Sequence, residues 1–447
     1  MLEREVLVLG GGPAGAACAI GLRRLGHAVT VVDEARRFRA VEGVSERVLD
    51  GLRQAGFRHA LQAVAEPSAR TVTWNGERSA ANTERLVDRA RFDALLRKDL
   101  AEAGVECVDA RVLRCGRQGG AHFVELAGEG GRVGMRAVFL VEARGRSAPY
   151  GTGGRVRGAE TVSLLQYWQG PALTAQSAVE SFEDGWAWLA AMPDGMRYLQ
   201  LTLDVASTRL PDKAALAGFC TSRLRALEAA APFLADALPV GQPQARSSTP
   251  VCAQELAGMD WLRVGDAAMA VDPLSGNGIF QALSSALQAP AVINTLLRRP
   301  EDADQAIAFH HARVAHLFLR FARIGRDFYA GERRWAQQPF WQSRAVWPDA
   351  LPVHGETRPE AVRIERRPVV SWGYIEMAEV VVTPDQPLGV WQVDGVEVAP
   401  VLRALRTRQA SATDEGARVA AEATPPPGLP AERVAALAAW MRARNWL

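Results

Sequence analysis

The chain has 447 residues, 48% hydrophobic and 23% charged, with a formal net charge of +2. This length suits two or three domains with ample core, and the balanced charge gives no call for nucleic acid or an anionic membrane surface as partner. The cysteines (Cys18, Cys107, Cys115, Cys220 and Cys252) are scattered and lack paired metal spacing, no apolar run is long enough for a bilayer, and the N-terminus enters a strand at once, so a metal-free cytoplasmic protein is expected.

The apolar run Val6 to Leu9 reads as a short buried parallel strand. It leads into Gly10-Gly11-Gly12-Pro13-Ala14-Gly15. Gly10 suits a tight turn, Gly12 lets backbone approach a pyrophosphate, and Gly15 lets the next helix pack on the sheet. Pro13 fits the first helical turn, where a missing N–H costs nothing. The helix N-terminus then offers free N–H groups and the positive end of its dipole to phosphates. A second strand, Ala28 to Val32, ends at Asp33-Glu34, about 20 residues on, where an acid is expected to hold a ribose diol. An arginine-rich stretch to Arg39 and Val41-Glu42-Gly43 follow, then an amphipathic helix from Val48 to Gly56.

Residues 69–90 alternate as strands or loops, and a helix over Arg91 to Ala103 buries Phe92, Leu95, Leu96 and Leu100, with Gly104 ending it. Val105 to Val112, Phe123 to Leu126 and Ala137 to Val141 read as strands. Residues 160–210 are strand-like and aromatic, and Ala214 to Ala230 is helical. Leu262-Arg263-Val264 is a short strand running into Gly265-Asp266, then Asp272-Pro273-Leu274-Ser275-Gly276-Asn277-Gly278, and a long helix pair from Gly278 to about Phe328 is expected. Past Gly331 tryptophans punctuate a proline-containing region, with a hairpin over Pro384 to Val398, an aromatic-poor stretch over 410–423, a proline corner at 425–427 and a final helix over Ala431 to Arg444.

Together the two glycine-bearing motifs point to FAD. Four segments carry a resemblance to flavoproteins of the aromatic-hydroxylase and flavin-dependent-halogenase superfamily: the glycine turn with Asp33, Val87 to Asp93, Val141 to Ser147, and Gly265 to Gly278. The resemblance spans about residues 1–330. It implies an α/β fold: a Rossmann-like, glutathione-reductase-like FAD-binding domain interleaved with a β-sheet substrate domain (mainly about 70–90 and 160–250), and a small C-terminal α/β domain over 331–447 that either docks a partner or covers the flavin domain. It also implies that Asp266 binds the ribityl chain, that Pro273, Gly276, Asn277 and Gly278 line the isoalloxazine, and that Arg89 reaches the ribityl or pyrophosphate region. The bland alternatives are a helix N-cap for Asp266 and a surface ion pair for Arg89.

Two departures sharpen the resemblance. Arg144-Gly145 stands where single-component hydroxylases carry Asp-Gly, so the electron donor is either NAD(P)H directly or a separate reductase. No lysine precedes Lys98, whereas family halogenases place an essential lysine before the residue 91 helix, which disfavours halogenation. Gly185-Trp186-Ala187-Trp188 keeps part of a halogenase pattern and places Trp186 and Trp188 on the substrate side or in ordinary core. Within the superfamily, residues 272–281 and the tryptophan-rich C-terminal part resemble maturation flavoproteins that hydroxylate a peptidyl tryptophan in quinone cofactor biogenesis, of the quinohaemoprotein amine dehydrogenase type.

That resemblance implies a monooxygenase acting through a flavin C4a-hydroperoxide on an electron-rich ring, either a tryptophan of a partner polypeptide or a small aromatic molecule. The alternatives are an FAD-dependent dehydrogenase or reductase and a non-catalytic flavin-holding subunit. No catalytic triad is expected, since the cofactor carries the chemistry. Glu42 and Asp272 are candidate proton handlers near the flavin, with Arg39 as the bland partner for Glu42; His310, His311 and His316 read as helix-surface or interdomain residues.

Overall fold

The computed structural model describes residues 2–34, 39–149, 153–276, 278–413 and 430–447. The chain opens with β1 (Leu2–Leu9), α1 (Pro13–Arg24) and β2 (Val29–Asp33). There follow β3 (Val41–Val44), α2 (Glu46–Ala55), β4 (Val64–Trp74), β5 (Glu77–Asp88) and α3 (Arg89–Glu102). Asp88 caps α3 by accepting the Ala90 N–H at 2.8 Å, so this helix starts two residues before the expected Arg91. The single strand expected over 105–112 is two, β6 (Glu106–Asp109) and β7 (Arg111–Gln118), followed by β8 (Ala121–Gly128) and β9 (Gly131–Glu142).

Next come β10 (Arg155–Arg157), then β11 (Thr161–Gln169), β12 (Gln176–Phe182), β13 (Gly185–Ala191) and β14 (Met196–Asp204). After α4 (Leu216–Arg225) and α5 (Ala231–Leu234) the chain returns through β15 (Leu238–Ser247), β16 (Val251–Ala253), β17 (Trp261–Arg263) and β18 (Met269–Ala270). The expected helix pair is three helices: α6 (Gly278–Ala286), α7 (Ala289–Arg298) and α8 (Ala303–Gly331). Pro290 opens α7, and Pro300 starts the 3-10 turn before α8; each suits a first turn but not a helix interior.

Two sheets dominate. The first runs β6-β2-β1-β9-β8-β7 with β17 beside β9; β6, β2, β1, β9 and β17 are parallel and the β9-β8-β7 edge is antiparallel. β1 is buried on both faces, as a central parallel strand must be: Val6 and Val8 join the core that holds α1, while Leu7 and Leu9 join the core with Val124 and Leu126. The second sheet runs β15-β11-β14-β13-β12-β4-β5-β3. Ala187, Leu189 and Ala191 of β13 pack with Leu224 and Phe233 on one face, leaving Trp186 and Trp188 for the other.

Past residue 331, α9 (Pro339–Ala345) buries Phe340 and Trp341 against Val179, Trp186 and Tyr329. A hydrophobic cluster therefore crosses the 331 boundary. The chief hairpin of this part is β19 (Arg363–Ser371) with β20 (Tyr374–Val382), which the sequence reading missed. The hairpin expected over Pro384 to Val398 is present but short: the two-residue strands β21 (Gln392–Val393) and β22 (Val396–Glu397) pair antiparallel. Ile375 of β20 enters the core that holds α1. α10 (Val398–Thr413) and α11 (Ala431–Arg442) close the chain. Most of the aromatic-poor stretch 410–423 and the proline corner at 425–427 lie outside the described residues. No helix among the described residues is long and apolar enough to cross a membrane.

Candidate functional site

The first motif is a cradle of backbone. Gly10 has φ +107, and a Cβ there would sit 2.4 Å from the Ala143 carbonyl oxygen; no L side chain fits that conformation or that gap. Gly15 is equally confined, 1.9 Å from the Gly10 carbonyl oxygen. Gly12 differs: a Cβ built there meets nothing within 4 Å, and as the N-cap of α1 it supplies no side chain to the helix N–H groups. Pro13 and Ala14 start that helix and are buried. The result is an open helix N-terminus suited to an anion.

Asp33, at the end of β2, accepts the Gly11 N–H through Oδ1 at 2.9 Å and pairs through Oδ2 with Arg97 at 3.0 Å. Glu34 next to it is exposed. The acid thus braces the glycine turn while standing beside the open space.

Arg89 is buried, not a surface arginine, and its partners are Glu42 and Asp93, the latter at 2.9 Å. Burial opposes its charge, but the two carboxylates outweigh this and raise its pKa. Glu42 therefore takes Arg89, from the start of α3, rather than the expected Arg39. Two residues singled out separately in the sequence are one ion pair joining β3 to α3.

The second motif also combines tight and open glycines. At Gly265, with φ +62, a Cβ would lie 2.6 Å from Ala14 Cβ, which seats this turn against the first motif. Asp266 follows in the same 3-10 turn with Arg146 at 3.5 Å. Asp272 caps the turn Pro273–Ser275, accepting the Leu274 N–H at 2.9 Å. Gly276 takes φ +59 and Gly278 opens α6; a Cβ on either meets nothing within 4 Å. Asn277 lies outside the described residues.

Side chains that sequence reasoning missed connect this turn to the second sheet. Tyr329, near the end of α8, donates to Asp272, whose carboxylate oxygens are both 3.0 Å away, and accepts the Trp186 indole N–H at 3.2 Å. Burial raises the Asp272 pKa against the pull of the Leu274 N–H, Arg344 and Tyr329. Burial also raises Tyr329 well above the usual tyrosine range. A small recess borders Asp272, Tyr329, Arg344 and Trp347. Trp186 is buried, whereas Trp188 is half-buried and donates to Glu84 Oε1 at 3.3 Å. Glu332, also unforeseen, accepts from Ser181 Oγ and the Asn75 N–H, each at 2.6 Å.

His310 is a satisfied core residue rather than a helix-surface group: its Nε2 lies 2.9 Å from the Arg263 carbonyl oxygen, and burial lowers its pKa to about 4. Arg144, at the departure from Asp-Gly, is held by Glu142 at 2.9 Å. His59, Asp99 and Glu102 lie close enough to suggest a metal site, but Asp99 already accepts the N–H groups of Arg58, His59 and Ala60 at 2.8 to 2.9 Å.

An open helix N-terminus, an acid at the end of β2 and a second glycine turn seated against the first suit an adenine dinucleotide carrying a flavin. Residues 3–164 match the FAD binding domain family. A tryptophan 2-halogenase of Chondromyces crocatus is 26% identical over 388 residues, covering 78% of this chain and 72% of that protein. A putative FAD-dependent oxidoreductase, LodB, of Marinomonas mediterranea is 25% identical over 381 residues, covering 77% and 97%. The solved structure of QhpG, described as a peptidyl tryptophan dihydroxylase essential for tryptophylquinone cofactor biogenesis, is 51% identical, covers 100% of both chains and superposes with a TM-score of 0.85. These likenesses define an FAD-dependent monooxygenase with the mixed α/β fold of the flavin halogenases. At that identity over its whole length, the chain belongs to the family of QhpG.

Proposed function

We propose that this protein hydroxylates a tryptophan side chain of a partner polypeptide during the making of a quinone cofactor. The observation that carries this reading is the full-length, 51% identical match to a peptidyl tryptophan dihydroxylase, which includes residues 331–447 as well as the flavin-type part. A halogenase reading has weaker support, at 26% identity, and lacks a lysine anywhere before Lys98.

In this reading the N–H groups of Gly12, Ala14 and Gly15, with Gly10 shaping the turn and Pro13 starting the helix, hold the pyrophosphate. Asp33 and Glu34 face the adenosine ribose, and Asp266 takes the ribityl chain. Pro273, Gly276, Asn277 and Gly278 wrap the isoalloxazine, and the N-terminus of α6 favours negative charge on it. The Glu42–Arg89 pair fixes β3 beside the nucleotide. Bound and reduced, FAD would supply two electrons to dioxygen, so that a hydroxyl takes the place of a ring hydrogen and the other oxygen atom leaves as water. The protein orients the ring and excludes water, with Trp188 on the substrate side and Trp186 behind it. Residues 1–330 form the flavin and substrate domains, residues 331–447 contact the polypeptide, and a separate reductase delivers the electrons.

The test is to reduce the FAD-loaded protein chemically and mix it with oxygen and the small subunit of a quinohaemoprotein amine dehydrogenase. Intact mass then reports the outcome. A gain of one or two oxygen atoms is expected; an unchanged subunit with accumulating peroxide contradicts the reading.

A further inference from the structure

Glu84 is a carboxylate that the site described so far does not use. It lies on β5 and is 8% exposed, although burying a charged group without partners is costly. Oε1 accepts the Trp188 indole N–H at 3.3 Å. Oε2 has no hydrogen-bond or ion-pair partner among the described residues. Gly43 of β3 leaves the room for it, since a Cβ there would come within 1.9 Å of Oε2.

The surroundings are aromatic. Trp188 meets Tyr198 edge to face at 5.4 Å, and Tyr198 meets Tyr167 at 5.7 Å. Trp188 shares a face of β13 with Trp186, which Tyr329 links to Asp272 in the turn assigned to the flavin. Glu84, held by Trp188, therefore lies on the same side of the second sheet as the Trp186–Tyr329–Asp272 series, on the face that Gly43 leaves open.

We propose that Glu84 is a catalytic residue whose Oε2 accepts the ring N–H of the substrate indole, while Oε1 stays anchored on Trp188. This deepens the tryptophan hydroxylase reading and rests on it. When oxygen adds to the ring, positive charge develops that the ring nitrogen shares, and its N–H becomes a stronger donor. A fixed carboxylate at that point interacts more strongly with the transition state than with the bound ring, which is the condition for acceleration. No bond to Glu84 forms or breaks; the displaced ring proton goes to solvent. Charge-assisted hydrogen bonds are the strong ones, and here the second oxygen is held so that the first is aimed.

The experiment uses FAD-loaded Glu84→Gln, Trp188→Phe and wild-type protein, with the amine dehydrogenase small subunit as probe. Product per reduced flavin, peroxide and bound FAD are read together. Glu84→Gln keeps an acceptor for Trp188 and is expected to keep its FAD, while product falls about tenfold, as for a lost hydrogen bond to a charged group, and peroxide rises. Trp188→Phe, which frees Oε1 while the charge stays, is expected to lose the aim and to lower product too, with peroxide rising in step. Unchanged product in Glu84→Gln, or a fall in Trp188→Phe without one in Glu84→Gln, overturns the proposal and makes the pair a structural contact. Should Glu84→Gln fail to load FAD, Glu84→Asp decides: its withdrawn carboxylate is expected to divert oxygen from product to peroxide, and unchanged coupling overturns the proposal. Wild-type protein that adds no oxygen to the small subunit removes the functional reading and this proposal together.

Discussion

The two large sheets shape their parts of the candidate site by different means. On the β1 side the geometry is made of backbone: Gly10, Gly15 and Gly265 are confined so closely that no side chain fits, and Gly12 is open. On the β13 side it is made of side chains reaching across the chain, with Trp186, Tyr329 and Asp272 linked in series and Glu332 holding Ser181 and Asn75. A backbone cradle suits a cofactor shared by many proteins, whereas a side-chain lattice can be re-cut for a particular ring.

The contrast can be broken, starting where the effect is largest. Trp341 is buried among Trp74, Tyr329, Trp335 and Phe340. Trp341→Ala is expected to cost about 3–5 kcal/mol in a denaturant titration; a loss below about 1 kcal/mol would mean that this lattice does not hold the second sheet. His310 supplies a pH test on the nucleotide side. Its pKa is about 4 when folded against 6.5 as the ordinary value, so the unfolded chain takes the proton first as pH falls. Stability should then decline between those values by up to about 3 kcal/mol. In His310→Gln that part of the slope should vanish; an identical slope in the variant refutes a buried neutral imidazole.

Smaller effects sharpen the comparison. Tyr329→Phe leaves the Trp186 N–H and the buried Asp272 without their shared hydroxyl, and should cost about 1–3 kcal/mol while FAD content stays near wild type. Gly12→Ala is the reverse case. Its φ of −68 is open to any residue and its Cβ meets nothing, so stability should change by less than about 0.5 kcal/mol. Bound FAD, read by its visible absorbance, should nonetheless fall. Full occupancy in that variant would show that the space at Gly12 is not used by the cofactor.

The same contrast explains what could be read without coordinates. The β1–α1–β2 unit, Asp33 and the Gly265–Gly278 turn were legible because backbone demands leave glycine, proline and capping acids at fixed spacings. The Trp186–Tyr329–Asp272 series was not, since its partners lie 143 and 57 residues apart with no periodicity to join them. Arg89 and Glu42 were both singled out, yet their pairing across 47 residues was not. The β19–β20 hairpin was hidden by its turn: Trp372 and Gly373 both take positive φ (47 and 80), a conformation whose usual sequence signal is Asn-Gly or Asp-Gly. The breaks around α7 did carry a signal, in Pro290 and Pro300.

The most direct test of the account is to run the reduced, FAD-loaded protein with the amine dehydrogenase small subunit under isotopically labelled dioxygen and to map the added mass by fragmentation. The account predicts labelled oxygen on a single tryptophan side chain. Label on another residue type, or none on the polypeptide while peroxide accumulates, would contradict it.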